Sequence, residues 1–90
     1  MKYEILISES ARKQLNYLQE WERQRIQSNL KGLETYPRRR RARADIKKLH
    51  DVNPELYRLR VGSFRIIYAI VGDEVRVTEI MRRGRDYRGY

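Results

Sequence analysis

The sequence has no cysteine and a single histidine. Without cysteine, the chain can form neither a disulfide nor a cysteine-ligated metal site, and its acidic residues do not show the spacing of metal ligands. No apolar run approaches the ~20 residues that a membrane span requires. The first residues, MKYEILISES, are too short and too polar a stretch for a signal peptide. We therefore expect a cytoplasmic protein with no membrane segment, no metal and no other cofactor.

The charge of the chain is strongly positive and unevenly distributed. The formal net charge is +9 over 90 residues. Residues 1–36 carry six Lys and Arg against five Asp and Glu, whereas residues 37–90 carry fifteen against seven, so the net charges are +1 and +8. This asymmetry favours a polyanionic partner such as nucleic acid. The alternatives are a charge excess that only improves solubility and the charge-rich composition of a thermophile.

The N-terminal part of the chain predicts a strand followed by two helices. Residues 2–7 are rich in β-forming side chains, and Ser8 or Ser10 can cap the helix that follows. Two apolar stripes with helical spacing are interrupted by polar residues, which indicates a tight turn near residue 20. No Gly or Pro marks this turn, so a single long helix is the alternative. The stripes consist of Ala11, Leu15 and Leu18, and of Ile26, Leu30 and Leu33.

The C-terminal part predicts a β-meander. The runs 56–61, 64–71 and 75–81 are separated by Gly62-Ser63 and Gly72-Asp73, and both dipeptides suit two-residue hairpin turns. The predicted order is β-α-α-β-β-β over a single domain of residues 1–90. We therefore expect an α+β fold, in which a helical hairpin packs on a mostly antiparallel four-stranded sheet.

The hairpin turns also predict which side chains share a face of the sheet. A two-residue turn at 62–63 places Arg60 opposite Arg65, and side chains alternate between the two faces. Like charges that face each other destabilise a sheet, so this arrangement points to a phosphate site rather than to a structural role. The predicted core face holds Tyr57, Leu59, Val61, Phe64, Ile66, Tyr68, Ile70, Val75, Val77 and Met81, and also Glu79, which does not fit there. The predicted basic face holds Arg58, Arg60, Arg65, Ile67, Ala69, Val71, Arg76, Thr78, Ile80 and Arg82.

Two further basic segments flank these strands. RRRRAR at 38–43 is expected in a loop, either solvated or in contact with phosphates. RRGRDYRGY at 82–90 mixes arginine with tyrosine, a combination suited to stacking on unpaired bases while cations hold the backbone. The alternative for this second segment is a frayed basic tail.

These residues together resemble the RelE/ParE toxin superfamily of bacterial and archaeal toxin–antitoxin systems. The resemblance rests on KKL, on ELYRLRVGSFRIIYAI and on the terminal RRGRDY, and it covers nearly the whole chain. It implies a RelE-like fold and a type II toxin. RelE-like members are ribosome-dependent endoribonucleases that cut mRNA in the A site without metal, by attack of the ribose 2′-hydroxyl on the adjacent phosphate.

The resemblance also implies the site residues. Arg60 and Arg65 would stabilise charge on the phosphate, Arg83 would act on the leaving 5′-oxygen, and Tyr87 would orient the nucleotide. Both strand positions where some members carry lysine are arginine here, and arginine is a poor proton acceptor. Lys47, Tyr87 and a group of the ribosomal RNA are therefore the candidates for the general base. The residues expected to bind RNA are Arg38, Arg39, Arg40, Arg41, Lys47, Lys48, Arg58, Arg82 and Arg85.

Two other functions share this sequence pattern. ParE-type toxins have the same fold and poison DNA gyrase, and a non-catalytic RNA- or ribosome-binding module is also compatible with the charge. For the RelE-type function the expected partners are the 70S ribosome, mRNA and a cognate antitoxin. The antitoxin is expected to contribute an acidic, partly disordered segment that folds on contact.

Overall fold

The computed structural model describes residues 2–39, 44–50 and 54–82, which form two helices and one five-stranded sheet. The strand order in the sheet is β1-β5-β4-β3-β2, with β1 parallel to β5 and every other neighbouring pair antiparallel. The elements are β1 (Glu4–Ile7), α1 (Glu9–Asn16), α2 (Glu20–Gly32), β2 (Asp45–His50), β3 (Glu55–Val61), β4 (Phe64–Val71) and β5 (Glu74–Arg82).

The helical hairpin forms without glycine or proline because polar side chains cap both helices. The hydroxyl of Ser8 accepts a hydrogen bond from the amide of Ala11 at 3.0 Å and so begins α1. At the start of α2, the amide of Gln19 donates to the carboxylate of Glu22 at 3.1 Å. The predicted break between two helices is confirmed, and the single long helix is excluded.

The predicted α+β fold class is confirmed, but the sheet has five strands rather than four. The additional strand is β2, with the sequence DIKKLH, a segment for which the sequence analysis predicted no strand. The side chains of β2 alternate between the two faces of the sheet, as in any strand: Ile46 is buried, while Asp45 and Lys47 point to the other face. The extra strand places one more row of polar side chains beside β3.

The first hairpin has the predicted register. Gly62 and Gly72 occupy the turns with φ of 57° and 61°, a backbone conformation that glycine adopts without strain. Arg60 lies opposite Arg65, and all seven core positions predicted on β3 and β4 belong to the buried cluster that contains residues of both helices. The basic face therefore lies on the side of the sheet opposite the helices.

A β-bulge at Thr78 changes the faces of the last strand. Val77 pairs with Tyr68 as predicted, but the next paired residue is Glu79, opposite Ile67. Thr78 is the extra residue, and its hydroxyl donates to the carbonyl of Ile67 at 3.2 Å. The prediction was therefore wrong from Thr78 onward: Ile80 and Arg82 lie on the helix side, and Glu79 and Met81 lie on the basic face. The bulge removes the misfit of Glu79 in the core.

None of the helices within the described ranges is long and apolar enough to cross a membrane.

Candidate nucleic-acid interface

A small cavity of about 180 Å³ lies on the face of the sheet opposite the helices. Of the residues that the structure describes, four basic and three apolar ones line it, and no acidic one does. The side chains are those of Lys47, Arg58, Arg60 and Arg65, and of Leu49, Ile67 and Met81. We call this group the basic cavity.

Three neighbouring strands position the four cations of the basic cavity. Lys47 on β2 lies opposite Arg58 on β3, and Arg60 on β3 lies opposite Arg65 on β4. Arg58 and Arg60 share a face because two residues separate them along one strand. The strand pairing thus gathers charges that are up to 18 positions apart in sequence (47 to 65) into one concave site.

Asp45 is the carboxylate that holds the arginines of the basic cavity. Its Oδ1 accepts a hydrogen bond from Nη2 of Arg58 at 3.0 Å, and its Oδ2 lies 3.7 Å from Nη1 of Arg60. The sequence predicted the facing pair of Arg60 and Arg65 but not this acid, because β2 was not recognised as a strand. The repulsion between the two arginines is therefore partly offset by a carboxylate one strand away.

The basic cavity is partly shielded from water. Arg65 is only 9% exposed, and the apolar side chains of Ile67 and Met81 are 2% and 4% exposed. Nε of Arg58 is buried and has no hydrogen-bond partner among the described residues. Charges in such a setting interact more strongly than they do in bulk water, because the effective dielectric constant is lower. The cavity is therefore suited to binding an anion.

Arg82 does not belong to the basic cavity, although the sequence placed it on that face. The bulge turns it to the helix side, where its guanidinium lies 4.6 Å from the centre of the Phe64 ring. Nη2 of Arg82 is also 3.6 Å from Oε2 of Glu22 on α2. The alternation rule misplaced this residue because a bulge has no clear sequence signal here.

Lys48, predicted to bind RNA, is also separated from the basic cavity. Its ammonium group lies on the helix side of β2, 6.0 Å from the centre of the Tyr57 ring. Arg39, from the basic run, lies with its guanidinium 5.8 Å from the centre of the Tyr36 ring. Among the described residues, Lys47 is the lysine that lines the basic cavity.

Arg38 belongs to a polar network at the beginning of β3. It donates through Nε to Oε1 of Glu55 at 2.8 Å and through Nη1 to the hydroxyl of Tyr3 at 2.9 Å. The hydrogen bond from Arg38, reinforced by one from the hydroxyl of Tyr57, lowers the pKa of Glu55. Glu55 and Arg60 are five positions apart, roughly 16 Å along a strand, so Arg38 is distant from the basic cavity.

Five predicted site residues lie outside the described residues. They are Arg40, Arg41, Arg83, Arg85 and Tyr87, and their roles stay predictions. Within the described ranges, no group of His, Asp and Glu has an arrangement that could hold a metal ion.

The family comparison matches almost the whole chain. The family described as "ParE toxin of type II toxin-antitoxin system, parDE" matches residues 5–87. The chain belongs to this toxin family. The predicted membership of the RelE/ParE toxin superfamily is therefore confirmed, and the protein is a type II toxin of that superfamily. A search of curated protein sequences gives no match to the toxin.

Several of the solved structures similar to the toxin are complexes of RelE with RelB. The archaeal RelE–RelB complex from Pyrococcus horikoshii contains a chain with 28% identity and a TM-score of 0.83, and the match covers 94% of the toxin and 99% of that chain. The RelB–RelE complex from Methanococcus jannaschii gives 24% identity and a TM-score of 0.73, over 94% and 98% of the two chains. The intact E. coli RelBE complex gives 23% identity and a TM-score of 0.72, and the match covers 92% of the toxin and 99% of that chain. The latter two support the fold alone.

Proposed function

We propose that the toxin is a ribosome-dependent, metal-independent endoribonuclease that cleaves mRNA in the A site and so inhibits translation in the cytoplasm. The observation that carries this proposal is the basic cavity, in which Lys47, Arg58, Arg60 and Arg65 converge on one small, partly buried space. A gyrase poison or a simple scaffold has no need of four converging cations. A site that stabilises the negative charge on a reacting phosphate needs such a group of cations.

The proposed reaction is an internal transfer at a single phosphate. The ribose 2′-oxygen attacks the adjacent phosphorus, the bond from phosphorus to the 5′-oxygen breaks, and the products carry a 2′,3′-cyclic phosphate and a 5′-hydroxyl. The 2′-hydroxyl proton passes to a base, and the leaving 5′-oxygen takes up a proton from an acid. Negative charge grows on the non-bridging oxygens, and fixed positive groups lower the barrier by stabilising it.

The arginines of the basic cavity stabilise charge in this proposal. Arg65 is the most buried of them and is assigned to the phosphorane oxygens. Arg58 and Arg60 bind the flanking phosphate groups, and Asp45 keeps both guanidinium groups in place before RNA arrives. A site that is ordered in advance loses less free energy to reorganisation during the reaction.

Lys47, in its neutral amine form, is assigned as the group that accepts the 2′-hydroxyl proton. Among the described residues that line the basic cavity, it is the one side chain that can exchange a proton, because arginine stays protonated. Arg83 and Tyr87 keep the roles that the resemblance implies, at the leaving oxygen and at the nucleotide base.

The proposed partners are mRNA, the 70S ribosome and a cognate antitoxin. The similar structure from Pyrococcus horikoshii is a complex of RelE with RelB, which supports an antitoxin for this chain. The charge of +8 over residues 37–90 favours an acidic antitoxin segment.

The alternative is a ParE-type toxin that poisons DNA gyrase. The match to the ParE family description favours it. The two functions separate when the purified toxin is added to translating ribosomes and, in parallel, to gyrase with supercoiled DNA. We expect mRNA cleavage at the A site with a 2′,3′-cyclic phosphate end, and no DNA breaks. Gyrase-dependent breaks without mRNA cleavage would establish the alternative, and neither activity would indicate a binding module.

A further inference from the structure

A second, larger cleft lies where α2 meets the hairpin of β3 and β4. Its volume is about 540 Å³, three times that of the basic cavity. Arg25, Ser28 and Asn29 line it from the helix, and Arg60 and Gly62 line it from the hairpin. We call it the hairpin cleft.

The polar side chains of the hairpin cleft are suited to an anion. Arg25, Arg60 and Ser28 line it, and no acidic residue within the described ranges does. Arg25 is exposed and makes no ion pair with any carboxylate within the described ranges, which leaves its charge available to a ligand. Of this pair, Arg60 lies 3.7 Å from the carboxylate of Asp45.

Gly62 leaves the space that the Arg25 guanidinium occupies. A β-carbon built on Gly62 would lie 2.9 Å from Nη1 of Arg25, closer than real β-carbons approach other atoms, and 3.3 Å from its Cζ, a tight contact. The positive φ of Gly62 serves the turn, and the missing side chain allows Arg25 to lie against that turn. The two arginines of the cleft are therefore held on opposite walls, one by the helix and one by the strand.

Arg60 lines both the hairpin cleft and the basic cavity. A polyanion that contacts the basic cavity can therefore continue into the hairpin cleft past Arg60, the residue that lines both. We propose that the hairpin cleft is a second phosphate subsite, which holds the backbone of single-stranded RNA beyond the nucleotide in the basic cavity. This inference rests on the proposed substrate class, RNA.

RNA backbone fits the hairpin cleft better than an acidic protein segment does. A peptide that folds on binding needs apolar pockets for its side chains in addition to charge. Among the described residues, the apolar side chains of this cleft are those of Ala44 and Val61, and both are themselves buried. A phosphodiester needs only cations and hydrogen-bond donors, and these are what the cleft presents.

The test is the salt dependence of binding to a short, labelled single-stranded RNA, measured by fluorescence anisotropy without ribosomes. Each phosphate contact contributes roughly 0.7 to the slope of log K against log salt concentration for single strands. We expect Arg25→Gln to reduce this slope by about 0.7 and Arg25→Lys to restore it. Arg12→Gln is the matched control: it removes the same charge from an exposed position on α1, which packs on β5 and does not line the cleft.

Ser28→Asp provides an independent variant, because it adds a negative charge at an exposed helical position in the cleft, and we expect it to weaken RNA binding. An unchanged slope for Arg25→Gln overturns the proposal, as does an equal loss for Arg12→Gln. The proposal is also overturned if Arg25→Gln weakens the binding of a polyglutamate probe while the salt slope for RNA stays constant, because the cleft would then accept an acidic protein. Ribosomal mRNA cleavage is measured separately. If the toxin does not cleave mRNA but shows the expected salt slopes, the proposed ribonuclease function is wrong and the proposed RNA subsite stands.

Discussion

Asp45 lies directly opposite Arg60 across β2 and β3, and the same carboxylate accepts a hydrogen bond from Arg58, two residues before. One acid thus contacts two of the four cations that line the basic cavity. It lowers the repulsion of the cluster in the absence of RNA, and it does not itself line the cavity. The first prediction follows from this double role.

We expect Asp45→Asn to change stability and RNA affinity in opposite directions. The partly exposed ion pairs contribute up to about 1 kcal/mol to the free energy of unfolding, which the variant loses. Affinity for RNA at low salt should rise, because one negative charge disappears beside the binding site. Urea unfolding and RNA titration measure the two effects. Asp73→Asn, which makes the same charge change in the β4–β5 turn, should leave both nearly constant, and equal effects of the two variants would contradict the assigned role.

We expect Arg65→Gln to lower the single-turnover rate of ribosomal mRNA cleavage by about 100-fold at saturation, because it removes a charge from the transition state. The fold should persist, since the loss of packing is offset by relief of the repulsion with Arg60, of order 0.2–1 kcal/mol. Arg76→Gln is the control: it makes the same change on the same face of the sheet, at a residue paired with Glu74 outside the cavity. Retained cleavage with a large loss of stability would identify Arg65 as structural.

We expect Lys47→Arg to keep RNA affinity and to lower the saturated cleavage rate by about 100-fold or more, because guanidinium preserves the charge but does not accept a proton. Lys48→Arg is the control, since its side chain lies on the other face of the same strand. A fully active Lys47→Arg variant would show that position 47 acts through charge alone. The base would then be Tyr87 or a ribosomal group.

We expect the stability contributed by Glu55 to depend on pH. Its pKa in the folded protein is lowered, first by the hydrogen bond from Arg38. Its contribution is therefore complete above the unfolded value of about 4.3 and disappears as pH falls through the lower folded value. Urea unfolding should find Glu55→Gln less stable than the parent at neutral pH and equal to it at strongly acidic pH. Arg38→Gln should reduce this pH dependence, and a difference that persists in acid would exclude the linkage.

The part of the site that the sequence predicted depends on local geometry. A two-residue turn at Gly62 fixes the pairing of β3 with β4, so the opposition of Arg60 and Arg65 follows from counting along the chain. The core positions on these strands follow from the same count. Register is specified strongly here because a shift of one residue would expose every apolar side chain of the core face.

The part that the sequence missed depends on interactions between distant elements. The bulge at Thr78 moves the side chains of Arg82 and Glu79 to the opposite faces of the sheet from those predicted. At the bulge, the carbonyl of Thr78 accepts a hydrogen bond from Ser8, 70 positions earlier in the chain. β2 forms only against β3, so Asp45 could not be connected with Arg58 before the pairing was known. Alternation along one strand gives no information about either event.

The parallel pairing of β1 with β5 determines how early the sheet of the toxin can be completed during synthesis of the chain. The hydrogen bond between Ser8 and the carbonyl of Thr78 joins residues 70 positions apart. β1 can therefore pair with β5 only after the intervening chain has been synthesised, which takes roughly 4–14 s at ~5–20 residues per second. Met81, which lines the basic cavity, emerges later still. We expect the ribosome that makes this toxin to have translated past Met81 before a folded copy with a complete basic cavity exists.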